Sequence, residues 1–113
     1  MPVATDKALD GFGRYAGSAT LILASLADGT KHGYALTKDI ESFAGVRVAP
    51  GTLYEALARL QARGLIEPVE SDDRRRPYRL TEVGAATLQA QLDAQRRVAD
   101  VGLRRLAQGW GLA

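Results

Sequence analysis

Apolar residues recur along most of the chain at the spacing of amphipathic helices. Ala8, Leu9, Phe12 and Tyr15 follow that spacing first, but Gly11 and Gly13 weaken the segment, so a short, marginal helix that must lie on something is expected. Residues 1–5 show no period and read as an arm. Ser18 is placed to cap a stronger helix through Leu21, Ile22, Leu23 and Leu26, which is apolar nearly all round and therefore buried, and Asp28-Gly29 supplies its stop. After Lys31-His32-Gly33-Tyr34, a second helix keeps Leu36, Ile40 and Phe43 on one face until Gly45. Residues 46–48 read as a brief extended stretch. Pro50 then stands where the first turn of a helix accepts proline, because that amide lacks an intrahelical partner anyway. Leu53, Ala56, Leu57 and Leu60 follow at i, i+3, i+4 and i+7, and Arg63-Gly64 ends this third helix.

The period then changes. Residues 65–70, with Leu65, Ile66 and Val69 apolar, and residues 77–80 are strand candidates joined by the polar run Ser71-Asp72-Asp73-Arg74-Arg75-Arg76, so a β-hairpin with a basic tip is predicted. Thr81 is placed to cap a long last helix, since residues 82–108 contain no proline and are rich in Ala, Leu, Gln and Arg. At about 1.5 Å per residue that helix reaches roughly 40 Å, longer than a core this small can cover. The predicted fold is mainly α with a small β-hairpin wing. Residues 1–17 form an arm or short helix, 18–80 a winged helix-turn-helix, 81–108 a dimerisation helix and 109–113 a tail.

Composition narrows the function classes. The 113 residues are 46% hydrophobic and 25% charged, ordinary for one folded domain and unlike a disordered chain. There is no cysteine and a single histidine, His32, so disulfides, thiolate chemistry, metal sites and imidazole catalysis have almost nothing to build on; no cofactor is expected. His32 reads as a loop residue. The strongest apolar run, residues 19–27, is far short of the ~20 residues that span a bilayer, so no membrane partner and a cytoplasmic address are expected. Net charge is only +2. Its distribution says more: Arg74, Arg75, Arg76 and Arg79 fall within six residues that contain no acid, immediately after Asp72 and Asp73.

A helix-turn-helix followed by a wing is an architecture that lays its second motif helix in a DNA major groove. Burying Leu53, Ala56, Leu57 and Leu60 turns Gly51, Glu55, Ala58 and Ala62 to the opposite face, with Thr52, Tyr54 and Arg59 on the flanks. A face so small-residued at its centre can approach another molecule closely. Glu55 and Arg59 either pair with each other at i, i+4 or divide between a cytosine amino group and a phosphate or guanine. The arginines of the wing are either a solvated loop or DNA contacts, for which the planar, permanently charged guanidinium is well suited. Tyr78 on the flanking strand has cross-strand packing as its other role. In the last helix Ala85, Leu88, Leu92, Gln95, Ala99, Gly102 and Leu106 keep a 3,4 spacing, which Val98 and Leu103 widen. The first turns of that face should cover the domain's own core; beyond about Gln95 a partner helix is the expected cover. The dimer residues are accordingly Leu88, Leu92, Gln95, Ala99, Leu103 and Leu106. Trp110 either caps a hydrophobic edge from the tail or walls an effector site between subunits.

His32-Gly33-Tyr34, Pro50-Gly51-Thr52-Leu53-Tyr54 with Ala56-Leu57 and Leu60, Gly64-Leu65-Ile66, and Arg76-Pro77-Tyr78-Arg79-Leu80-Thr81-Glu82 with Gly84 resemble the winged-helix domain of the PadR family of bacterial transcriptional regulators. The likeness covers roughly residues 18–90. It implies a homodimer, joined through the long last helix, that binds double-stranded operator DNA, usually as a repressor, and that a small effector releases in many members. The short chain is similar to the subfamily without a separate C-terminal domain. The resemblance also implies that Tyr34 and Tyr54 lie at the DNA backbone, with Lys38 and Thr52 assisting. Two positions depart from the pattern: Ala49 stands where the family often has a serine cap, and Glu55 where proline is common.

The expected function is therefore a homodimeric repressor acting on a pseudo-palindromic operator. The DNA-contact residues would be Tyr34, Lys38, Thr52, Tyr54, Glu55, Arg59, Arg74, Arg75, Arg76 and Tyr78. The alternative is a winged-helix protein–protein interaction module without nucleic acid. An enzyme is not expected, for want of a catalytic constellation.

Overall fold

The computed structural model describes residues 10–72 and 74–112, with side chains described from Gly17 onward. The arm at residues 1–5 and the first apolar positions of the marginal segment, Ala8, Leu9, Phe12 and Tyr15, lie outside the described backbone or side chains.

The first helix, α1 (Asp10–Leu26), is longer than its sequence pattern suggests. It runs through Gly11, Gly13 and Gly17 without interruption, so Ser18 lies inside it and caps nothing, and the division at residue 17 falls in mid-helix. Glycine costs about 1 kcal/mol per helical position, whereas only proline removes the hydrogen bond and clashes with the preceding turn. The packed C-terminal half, with Ile22, Leu23 and Leu26 buried, anchors the weaker N-terminal half. Asp28-Gly29 ends the helix as expected, and the Gly29 amide donates back to the Leu26 carbonyl at 3.2 Å.

A two-residue strand, β1 (Lys31–His32), leads directly into α2 (Gly33–Ala44). His32 is not a plain loop residue: its backbone is extended and its Nδ1 accepts from the Ala35 amide at 3.3 Å, making it the N-cap of α2. Gly45, at φ 67°, closes α2 in the left-handed conformation that glycine adopts without strain, and its amide donates to Glu41. Residues 46–48 pair in no described strand, but Val48 drops into the core.

Helix α3 (Pro50–Ala62) starts with proline in the first turn, and Leu53, Ala56, Leu57 and Leu60 are all buried, as the spacing requires. Strand β2 (Ile66–Pro68) is shorter than the 65–70 the sequence suggests, β3 (Pro77–Leu80) has the expected bounds, and the wing contains three strands rather than two. Their order is β1-β3-β2, antiparallel throughout, with Lys31 opposite Tyr78 and Ile66 opposite Leu80. The expected hairpin is therefore completed by β1 on the far edge of β3, which ties the start of α2 to the wing. A two-residue strand carries no period for a sequence reading to detect.

The last helix, α4 (Glu82–Trp110), begins at Thr81, whose Oγ1 accepts from the Gly84 amide at 3.0 Å and donates to the Gly64 carbonyl at 2.7 Å. Gly84 is where α4 touches the start of β2 most closely: a Cβ added there would stand 2.0 Å from the Leu65 carbonyl oxygen. Leu88 is 7% exposed and belongs to the domain's own core with Ile22, Leu36, Ile40, Leu57 and Ile66. That corrects its assignment to a dimer surface: a residue spent on the intrachain core has little area left for a partner. Trp110 corrects the tail boundary, since α4 continues through it and ends at Gly111, φ 70°. No helix among the described residues is long and apolar enough to cross a membrane.

Candidate nucleic-acid interface

Three segments distant in sequence meet at one groove of about 610 Å³: the β1–α2 junction, the first turns of α3 and the wing tip. Its lining comprises His32, Gly33, Tyr34, Tyr54, Arg74, Arg75, Arg76 and Tyr78. Each position has a local cause. Pairing of β1 with β3 holds Lys31 and His32 against Tyr78 and Pro77, so the wing cannot swing away from α2. Pro77 opens the central strand, the position where a missing N–H does least harm to the ladder. Gly33 lets α2 and α3 come close, because a Cβ there would stand 3.2 Å from the Tyr54 hydroxyl.

Tyr34 and Tyr54 are 65% and 61% exposed, far from the burial of core aromatics. They also line a second, largely apolar cavity of about 560 Å³ with Thr37, Val48 and Leu53, so the two rings stand between the turn of the motif and the groove. Lys38, one turn along α2, places its ammonium 5.7 Å from the centre of the Tyr34 ring, a cation–π arrangement that presents charge beside the phenol. Thr52 is half-buried in the first turn of α3. No side chain caps that turn at Ala49, so the helix presents its leading amides uncovered by the chain's own serine or aspartate.

The sequence-predicted residues divide into two groups. Tyr34, Tyr54, Arg74, Arg75, Arg76 and Tyr78 line the groove together, with Lys38 adjoining. Glu55 and Arg59 lie on the exposed face of α3 outside it, and they pair at 3.2 Å across one helical turn. Tyr78 is half-buried and packs against the core as well as lining the groove. Arg79 leaves the basic run, because its register opposite Glu67 brings the two into an ion pair at 3.5 Å.

Sequence reasoning missed His32 and Gly33 as parts of the site, although both stand in a motif it singled out. It also missed a polar lock beneath the site. Ser25, 2% exposed, donates to Asp39 at 2.6 Å, while Lys31 donates to the Ser25 carbonyl and pairs with Asp28. The hydrogen bond and charge of Lys31 hold the Asp28 carboxyl below its ordinary pKa of 3.8. This lock joins α1, β1 and α2, and so fixes the strand that ties α2 to the wing.

Residues 22–90 match the model of the Transcriptional regulator PadR-like family. The chain is 45% identical over 78 residues to an uncharacterized 37.1 kDa protein in transposon TN4556 of Streptomyces fradiae, covering 69% of this chain and 23% of that protein. It is 44% identical over 70 residues to Transcriptional regulator Rv3488 of Mycobacterium tuberculosis, covering 59% and 64%. Neither relative is matched over two thirds of its length. Among solved structures, a PadR family transcription regulator from Clostridium difficile superposes with a TM-score of 0.72 at 26% identity, covering 79% of this chain and 97% of that one. A PadR family transcriptional regulator from Eggerthella lenta gives 0.70 at 26% identity over 95% and 94%, so the likeness extends along most of the long last helix.

Proposed function

The chain belongs to the PadR-like family of transcriptional regulators, and from that premise we propose that it is a homodimeric repressor that binds double-stranded operator DNA through the α2–α3–wing face. The observation that carries this reading is the groove itself. It gathers two exposed tyrosines and three arginines from segments far apart in the chain, around the N-termini of two helices. In this reading α3 enters the major groove, Tyr34, Lys38, Thr52 and Tyr54 hold the phosphate backbone, and Arg74, Arg75 and Arg76 reach the backbone or minor groove beside it. Glu55 and Arg59, on the exposed face of α3, read bases once DNA competes for their mutual pair, an exchange made easy by the small worth of an exposed i, i+4 pair, about 0.2–0.5 kcal/mol.

The dimer is supported by what the chain leaves uncovered. Leu92, Leu103 and Leu106 are 39%, 63% and 40% exposed, and with Gln95 and Ala99 they lie on the side of α4 that continues from Leu88. Twofold symmetry then sets a pseudo-palindromic operator with half-sites about one helical turn apart, or a multiple of it. Trp110, 78% exposed at the end of α4, is the candidate wall of a small-effector site between subunits. An effector there would release DNA by favouring one separation of the two α3 helices over another.

The experiment that tests DNA binding replaces Arg74, Arg75 and Arg76 together by alanine. Affinity for every duplex should fall, and the slope of log K against log salt should flatten by about 0.9 for each phosphate that is no longer neutralised. An unchanged slope would leave the wing without a DNA role.

A further inference from the structure

The N-cap of α2 fixes the chemistry of the only imidazole in the sequence. His32 Nδ1 accepts from the Ala35 amide, so that nitrogen carries a lone pair and the proton of the neutral ring sits on Nε2. The same ring lines the groove with Tyr34, Tyr54, Arg74, Arg75, Arg76 and Tyr78. Serine, aspartate or asparagine would cap the helix at least as well, and all three are shorter. The cap therefore explains Nδ1 alone. It leaves a rigid N–H donor on the other side of a ring held by α2 at one end and by β1–β3 pairing at the other.

We propose that His32 is a further DNA-contact residue, donating from Nε2 as a neutral ring to a backbone phosphate bound in this groove. The inference rests on the DNA-binding reading above and deepens it. Capping and contact are one device: the hydrogen bond that starts α2 also selects the tautomer and sets the orientation in which the ring meets the phosphate. An imidazolium would not serve in the same way, since a protonated Nδ1 has no lone pair for the Ala35 amide. The contact differs in kind from those of the neighbouring arginines. It supplies a directed hydrogen bond and no charge, so it displaces no counterion. Because phosphates carry no sequence information, it strengthens binding to all duplexes alike.

The test is His32→Ser in the full chain, with binding to a mixed-sequence duplex measured across a salt series. Serine keeps a cap acceptor but cannot reach into the groove. The expected result is an unchanged melting temperature, affinity weaker by about tenfold at every salt concentration, and a salt slope equal to that of the unsubstituted protein. A nitrogen-detected spectrum of the unsubstituted protein, recorded where the ring is neutral, should show its proton on Nε2. Unchanged affinity in His32→Ser would overturn the proposal, and so would a slope flattened by about 0.9, which would mean that a cation rather than a neutral donor had been removed. Absence of binding by the unsubstituted protein at low salt would instead overturn the DNA-binding reading, so the two failures are told apart by which protein fails to bind.

Discussion

The two halves of α4 are one continuous helix with opposite circumstances. At its start Thr81 caps the helix, Gly84 meets the Leu65 carbonyl and Leu88 is buried, so the chain itself covers the inner face. From residue 95 onward every described residue is exposed, including Val98, Leu103, Leu106 and Trp110. The whole molecule measures 56 × 26 × 23 Å, elongated because this half extends from the compact domain. Burying one leucine fully is worth roughly 1.5–3 kcal/mol, so the first half stabilises the fold, while the second leaves that free energy to be gained only if the proposed dimer covers it. On the proposed dimer, one helix would serve two cores, one within its own chain and one shared with a copy.

Variants at the docked end sharpen the contrast. Gly84→Ala should have the largest effect: its Cβ cannot coexist with a backbone oxygen 2.0 Å away, and α4 must move off β2. A loss of more than about 3 kcal/mol is expected in urea unfolding, together with exposure of Leu88. An alanine at Gly102, where nothing lies within 4 Å of an added Cβ, should leave the fold of the monomer unchanged or slightly firmer. Thr81→Ala removes both the cap on Gly84 and the bond to Gly64, and should cost about 1–2 kcal/mol by the same measurement.

The smallest effect is expected at the exposed Asp28–Lys31 pair. The Asp28 pKa is lowered in the folded state, so whatever stability it contributes is present above pH 3.8 and disappears as the pH falls through its folded value. Asp28→Asn should therefore leave the melting temperature at pH 7 almost unmoved and reduce the acid sensitivity below pH 4. A large loss at neutral pH would show that the lock beneath the groove depends on this ion pair rather than on Ser25 and Asp39.

What could be read from sequence follows from how each feature is encoded. The four buried positions of α3 and the signals at Pro50, Gly45 and Thr81 were legible because they depend on residues a few positions apart. Ser18 misled because a good cap residue is also an ordinary interior one once tertiary packing carries the helix past it. Strand β1 was illegible, since two residues owe their conformation to a partner strand far along the chain. The wing arginines and the tyrosines could be named as candidates singly; that they share one groove depends on β1, and so does the place of His32 in it. Leu88 and Leu106 occupy equivalent positions in one stripe, and only the extent of the core separates their surroundings.

The most direct test of the division of α4 is sedimentation equilibrium of Leu106→Asp beside the unsubstituted protein at micromolar concentration. The unsubstituted protein should run at twice the chain mass. The variant should run at the chain mass while retaining its helical signal and a cooperative melt, because Leu106 lies outside the buried core. A monomeric unsubstituted protein, or a variant that stays dimeric, would contradict the assignment of the distal half of α4 to the seam between subunits.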